Sequence, residues 1–240
     1  MMQQILVGSG GAAALVYSVE YFALGGGGGG ANISKGGGGS GQVPSTGTFS
    51  PTAGSSFVIT IGNGGTAGNN GSPTSIANVV TASGGQTPGP PNGTRYGANN
   101  NTYSGGINGS SSGGGGAGAG GNAPPGGVPN FQYGGDGGIG VSVNIGYTTI
   151  MVGGGGGGEG FRAGYRDGTG TDGGGSRPPS NPIAGYGGGG WTQNSGGSGK
   201  VVLTYSDSFP PLTTIYSGVN VFVIGGYRYY EIDASGTIVF

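Results

Sequence analysis

The chain has no cysteine and no histidine, and its 240 residues carry only seven Lys or Arg and eight Asp or Glu. Each shortage removes a class of function. Without cysteine there is neither a disulfide framework nor a thiolate metal site. Without histidine the common imidazole ligand and the usual general base are gone. Seven scattered basic residues make no phosphate-neutralising stripe, so no nucleic-acid partner is expected. No run of about 20 apolar residues is present to insert into a membrane. Helix signals are almost missing, the longest being Ala12-Ala13-Ala14-Leu15-Val16-Tyr17. The first seven residues, Met1 to Val7, lack the basic start of a secretory signal, and Gly8-Ser9-Gly10-Gly11 breaks the apolar run. Synthesis in a cytoplasm without a signal peptide is expected.

What the chain has in quantity is glycine, 69 residues, with 14 prolines, against a usual glycine share of roughly 7%. Disordered chains of this kind carry few aromatics and strong net charge. Here there are 13 Tyr, 8 Phe and one Trp, and the net charge is −1. A folded all-β chain is therefore expected. Glycine loses more backbone entropy on folding than any other residue, so its abundance requires a structure that tolerates no Cβ. The glycines fall in blocks, at 25–30, 36–39, 113–116, 153–158, 173–175 and 187–190, with no collagen G-X-Y register. Extended glycine segments can adopt the polyproline II conformation, three residues per turn without internal hydrogen bonds. The backbone groups are then free to bond sideways to parallel neighbours. The expected fold is all-β with irregular, polyglycine II-type packing, short strands forming a sandwich-like scaffold.

Alternating apolar patterns place strands at 57–61 (Phe57, Ile59 and Ile61 on one face), 141–145 (Val141, Val143, Ile145) and 200–205 (Val201, Leu203, Tyr205). Strand-like runs at 17–24 and 147–152 lead straight into the two six-residue glycine blocks, and 76–82 is a weaker run. The excursion from 84 to 129 has no regular pattern, and its order outside an assembly is left open. After Pro210-Pro211 the glycine blocks stop. Runs at 219–224, 227–232 and 237–240, with turns at Gly225-Gly226 and Ala234-Ser235-Gly236, predict a small antiparallel meander. The expected organisation is an N-terminal segment 1–16, a glycine-rich β/polyglycine domain 17–206, and a docking or oligomer-forming meander 212–240.

No pattern assigns catalytic, cofactor-binding or metal residues. Gly199-Lys200 is followed by Val201, which breaks a phosphate-loop motif, and any polyglycine block satisfies G-x-G-x-x-G trivially. A glycosidase pair such as Glu159 with Asp172, or a Ca²⁺ site from Asp136, Asp167 and Asp172, has no supporting spacing. Ion pairs with Arg162, Arg166 and Arg177 are expected instead. The aromatics in glycine-rich loops carry large contact areas at low rotamer cost. Tyr96, Tyr103, Tyr133, Phe161, Tyr165, Tyr186 and Trp191, with Arg162 and Arg166, form the candidate receptor-binding set. Rings that cap the glycine packing are the alternative for each.

An aromatic strand (Val19-Glu20-Tyr21-Phe22-Ala23-Leu24) entering a glycine block, then Phe57-Val58-Ile59-Thr60-Ile61-Gly62-Asn63-Gly64-Gly65, and a closing Gly199-Lys200-Val201-Val202-Leu203-Thr204-Tyr205 together resemble the glycine-rich domain of tailed-phage tail-fibre and virion proteins. The order is also similar to polyglycine II-type adhesins at phage fibre tips. The resemblance implies a non-enzymatic tail or tail-fibre component located in the virion, with loops that contact a host-surface protein or glycan. It further implies association with other tail proteins and with copies of itself, as trimers. The alternatives are a self-assembling extracellular filament or a surface-binding protein for ice or a cell wall.

Overall fold

The computed structural model describes residues 15–31, 36–42, 44–88, 113–123, 133–160, 166–176, 182–183 and 186–240. Among them the regular structure is all-β, eleven strands in three antiparallel sheets. The strands are β1 Val19–Leu24, β2 Ser45–Phe49, β3 Ser56–Thr60, β4 Thr74–Ile76, β5 Val80–Ala82, β6 Val141–Asn144, β7 Thr149–Val152, β8 Lys200–Ser206, β9 Val219–Ile224, β10 Tyr227–Ile232 and β11 Gly236–Val239. One sheet has the order β2-β1-β8-β10-β9, a second β11-β3-β4-β5, and the third is the hairpin β6-β7.

The five-stranded sheet lies between the other two, and strand alternation divides its side chains. Val19 and Ala23 of β1, with Val201, Leu203 and Tyr205 of β8, face the four-stranded sheet, where Ile59, Ile76 and Ile238 meet them. Phe22, Leu24 and Val202 face the opposite way, onto Ile145 and Val152 of the β6-β7 layer. β1 and β8 are therefore buried on both faces, at roughly 1.5–3 kcal/mol for each large apolar side chain removed from water. Buried aromatics close the main core: Tyr17 packs against Tyr205, Phe209 and Phe240, and Tyr205 stacks on Tyr230. Lys200, at the start of β8, lies under the β6-β7 layer, 2.9 Å from Asp233 and 3.4 Å from Glu231. The Tyr147 hydroxyl donates to the same Glu231 carboxylate.

The strands end where the glycine begins. β1, β3, β5 and β7 run directly into glycine-rich segments, and β2, β4, β6 and β8 are reached from them. These segments are rods with a period of three. In the rod after β1, Gly26 and Gly29 donate to Ser72 and Asn69, Gly27 and Gly30 to Gly197 and Asn194, and Gly28 and Ala31 to Gly39 and Gly36, all at 2.8–3.0 Å. Each step of three in the donor lowers the acceptor by three, so these three neighbours are antiparallel. The carbonyls turn to three further neighbours: Gly26 accepts from Gly85, Gly27 and Gly30 from Gly65 and Gly68, and Gly28 from Gly190, at 2.8–2.9 Å. A Cβ on Gly27 would fall on the Gly188 carbonyl, one on Gly28 on that of Gln86, and one on Gly29 on that of Thr66. The rod after β1 is thus surrounded on six sides by bare main chain. Gly154 to Gly158, after β7, donate outward in the same period of three, to Asp172, Gly138, Gly38, Gly175 and Gly135; here the 135–138 neighbour is antiparallel and the 172–175 neighbour parallel.

Two expectations are corrected. Rod neighbours are not all parallel: the rods at 25–31 and 36–42 run in opposite directions, as do those at 62–66 and 69–72, whereas those at 113–116 and 135–138 run the same way. Nor do the last three strands form a meander. β9 and β10 make the expected hairpin, with Gly225 and Gly226 both at positive φ (61° and 82°). β11 then crosses to the four-stranded sheet and pairs with β3, because Ile238 and Phe240 are drawn into the core. The Ser235 hydroxyl in the crossover accepts the Ile61 N–H at 2.9 Å. The Pro210-Pro211 pair is exposed but tied to the same core, its Pro210 carbonyl accepting the Tyr205 hydroxyl at 3.1 Å, with Leu212 buried beside it. Residues before 206 and after 212 therefore share one hydrophobic core. The polar strand β2, Ser-Thr-Gly-Thr-Phe, has no apolar alternation and is not foreshadowed in the sequence; pairing with β1 creates it.

Candidate functional site

The rod registers give the bundle two ends. One abuts the sheets. At the other, rods turn back through tight connections whose backbone is satisfied locally. Asn69 donates its N–H to the Thr66 carbonyl and Asn194 its own to Trp191, at 2.9 and 2.8 Å. Gly68 and Gln193 donate to the last carbonyls of the rod after β1, those of Gly30 and Ala31. Gln193 manages this at a φ of 65°, the left-handed region uncommon for a side-chain-bearing residue.

Arg166 stands at the same end, beside the rod after β7. Its guanidinium reaches both carboxylate oxygens of Asp136, at 2.9 and 3.0 Å, and Asp136 also accepts the N–H and hydroxyl of Thr169 at 2.8 and 3.0 Å. The Arg166 side chain keeps 64% of its surface in water, so the pair orients the guanidinium more than it stabilises the fold. Tyr133, exposed, lies next to it through the Gly134 N–H, which donates to the Arg166 carbonyl at 2.9 Å. Tyr133 and Arg166 are thus brought together, and Trp191 sits at the tip of the neighbouring rod pair with its indole N–H buried and unpartnered. Tyr186 belongs elsewhere: it is half-buried at the sheet end, packed against the layer of Phe22, Leu24 and Val152, and its carbonyl accepts the Gly153 N–H. Tyr96, Tyr103, Phe161, Arg162 and Tyr165 lie outside the described residues.

The loop carboxylates serve the backbone. Asp167 accepts the Gly160 N–H, and Asp172 the Gly140 N–H, each at 2.7 Å. Asp136 with Arg166 is one of the expected loop ion pairs; which acid the arginine takes, 30 residues away, and the support of that acid by Thr169 had no signal in the sequence. No group of three or more acidic, His or Cys side chains among the described residues is arranged to hold a metal. A groove of about 260 Å³ between the outer face of β1-β2 and the β6-β7 turn is lined by Glu20, Thr46, Thr48, Asn144 and Thr204 among others. It is smaller than the roughly 300–1,000 Å³ of sites that enclose small molecules, and Glu20 is its one lining carboxylate. The geometry is that of a rigid end surface carrying oriented polar and aromatic groups.

A family model described as a glycine-rich domain matches residues 7–206, from ahead of β1 to the last residue of β8. No curated protein and no solved structure matches the chain.

Proposed function

The chain belongs to the glycine-rich domain family; from the order of its strands and glycine blocks, which resembles that of phage tail proteins, we propose that it is a non-enzymatic structural component of a bacteriophage tail or tail fibre, working in the virion. Its rod bundle is a stiff support, and the connections at its far end contact a host-surface protein or glycan. The observation that carries this reading is the division of labour along each rod. The interior is almost all main chain whose amides and carbonyls bond to other rods; the few side chains buried there, Ser40, Ala31, Ala117 and Ala119, are small, and none is offered for recognition. The side chains that can vary without disturbing the packing sit where rods turn, Arg166, Tyr133 and Trp191 among them. A surface of this kind, planar groups on a rigid base, suits contact with a flat receptor at low entropic cost. Copies of the chain and other tail proteins are the expected structural partners, and a trimer is the expected assembly.

Exchange of the connection between Gly160 and Gly168 for one of unrelated sequence tests the proposal. Binding to host envelope fractions is expected to fall at least tenfold, while the melting temperature stays unchanged. Unaltered binding with the fold intact would remove the recognition role.

A further inference from the structure

β9 is the edge of the five-stranded sheet, and among the described residues no strand covers its outer side. Its sequence, Val-Asn-Val-Phe-Val-Ile, has none of the devices that blunt an edge: no Lys, no Pro and no charge of either sign. Apolar side chains stand exposed on both faces, Val221 at 41% and Val223 at 53% on the sandwich side, Phe222 at 38% and Ile224 at 49% on the side where Phe222 meets Tyr147.

We propose that β9 pairs antiparallel with β9 of a second copy, about a twofold axis at Val221, joining two five-stranded sheets into one. The hairpin register leads to this axis. In a two-residue turn the flanking pair, here Ile224 and Tyr227, exchanges both hydrogen bonds. Alternation along the strand then points Asn220 and Phe222 at β10 and leaves the N–H and C=O of Val219, Val221 and Val223 facing outward. That set is symmetric about Val221. With Val221 opposite Val221 of the partner subunit, Val219 falls opposite the partner's Val223 and Val223 opposite the partner's Val219, so every outward donor meets an acceptor and none is left over. No like charges meet, and a valine faces a valine at each bonded position. A dissimilar partner would need a feature to select it, and an uncharged strand whose open groups already match themselves offers none.

The area fixes the strength. About half of four apolar side chains is on the order of 300 Å² per copy, well below the roughly 800 Å² per partner of a stable interface. Association is therefore weak and reversible, strengthened where copies are held side by side. It is independent of the host-recognition reading and distinct from the trimer.

Sedimentation velocity of the full chain is the first test: monomer at on the order of 10 µM and a dimer fraction above one half near 1 mM, the range of weak, small interfaces. Val221→Lys places two ammonium groups at the axis and is expected to abolish the dimer with the melting temperature unchanged. A second readout exploits the absence of cysteine. Paired Cα atoms at a bonded antiparallel position are about 5.5 Å apart, within disulfide reach. Val221→Cys is expected to cross-link to itself on mild oxidation. Val58→Cys is not, although Val58 is 54% exposed, because it sits on a strand paired on both sides. A chain that stays monomeric at every concentration, a dimer that survives Val221→Lys, or equal cross-linking at both positions overturns the proposal.

Discussion

Gly27 donates its N–H to the carbonyl oxygen of Gly197 at 2.8 Å, joining the first glycine block to the last rod before β8. The two segments come from opposite ends of the glycine-rich region and meet through main chain alone. Their contact is antiparallel, as β1 and β8 are where the same two segments continue into the sheet. Strand register above and rod register below are therefore one alignment, set by side chains in the sheet and transmitted into a bundle that meets through main chain.

Rod amides are predicted to exchange hydrogen as slowly as those of β8. Protection follows the closing of a hydrogen bond and its removal from water, whether or not the backbone is a regular strand. Gly26 to Gly30 each donate to another rod and are buried. Hydrogen exchange read by mass spectrometry is expected to place 25–30 and 153–158 in the slowest class. Exchange at free-peptide rates would mean the rods do not exist in solution.

Gly27→Ala is predicted to destabilise the fold by at least about 4 kcal/mol, in the range reserved for clashes and overpacking in a core. The added Cβ meets the backbone carbonyl of Gly188, which cannot swing aside as a side chain can. Thr66→Ala, on an exposed position of an adjacent rod, is expected to change stability by less than about 0.5 kcal/mol. Chemical denaturation of the two variants beside the parent chain checks the contrast. Equal effects would show that the bundle can open to admit a methyl group.

Stability is predicted to fall as the solution becomes alkaline. Burial raises the Tyr17, Tyr147, Tyr205, Tyr216 and Tyr229 phenols above their ordinary value, Tyr216 to about 12. Hydrogen bonding to Glu231 adds to the effect at Tyr147, and to Tyr230 at Tyr205. The folded chain therefore holds protons that the unfolded chain releases, so the stabilisation is complete below pH 10 and declines as pH rises from 10 toward the folded values. Denaturation midpoints across that interval are expected to drop in step with tyrosinate absorbance. Tyr230→Phe weakens the same core at neutral pH, because the Leu212 N–H, 3.0 Å from the Tyr230 oxygen, loses its acceptor. The expected cost is about 1–3 kcal/mol.

Much of the sheet was legible in advance because alternation carries its own address. Phe57, Ile59 and Ile61 do share the main core, as do Val201, Leu203 and Tyr205, and Val141, Val143 and Ile145 share the second layer. The weak run at 76–82 resolves into the hairpin β4-β5, a finer division than its apolar content allows one to see. Among the proposed contact residues, Tyr133, Arg166 and Trp191 stand at the turning end of the rods, whereas Tyr186 packs at the sheet end. Its flanking glycines look the same in sequence as theirs, so only the path of the rod distinguishes the two ends.

Glycine content without a collagen register dictated that the main chain would pack bare, and the strand patterns dictated which side chains would be buried. Neither could say which rod lies against which. A glycine offers the same N–H, C=O and Cα at every position, so one rod reads like another and no local code selects a partner. That choice, with the antiparallel neighbours, the crossover of β11 and the meeting of Arg166 with Asp136, belongs to the tertiary structure, where the side-chain-bearing strands align and draw the featureless rods into register behind them.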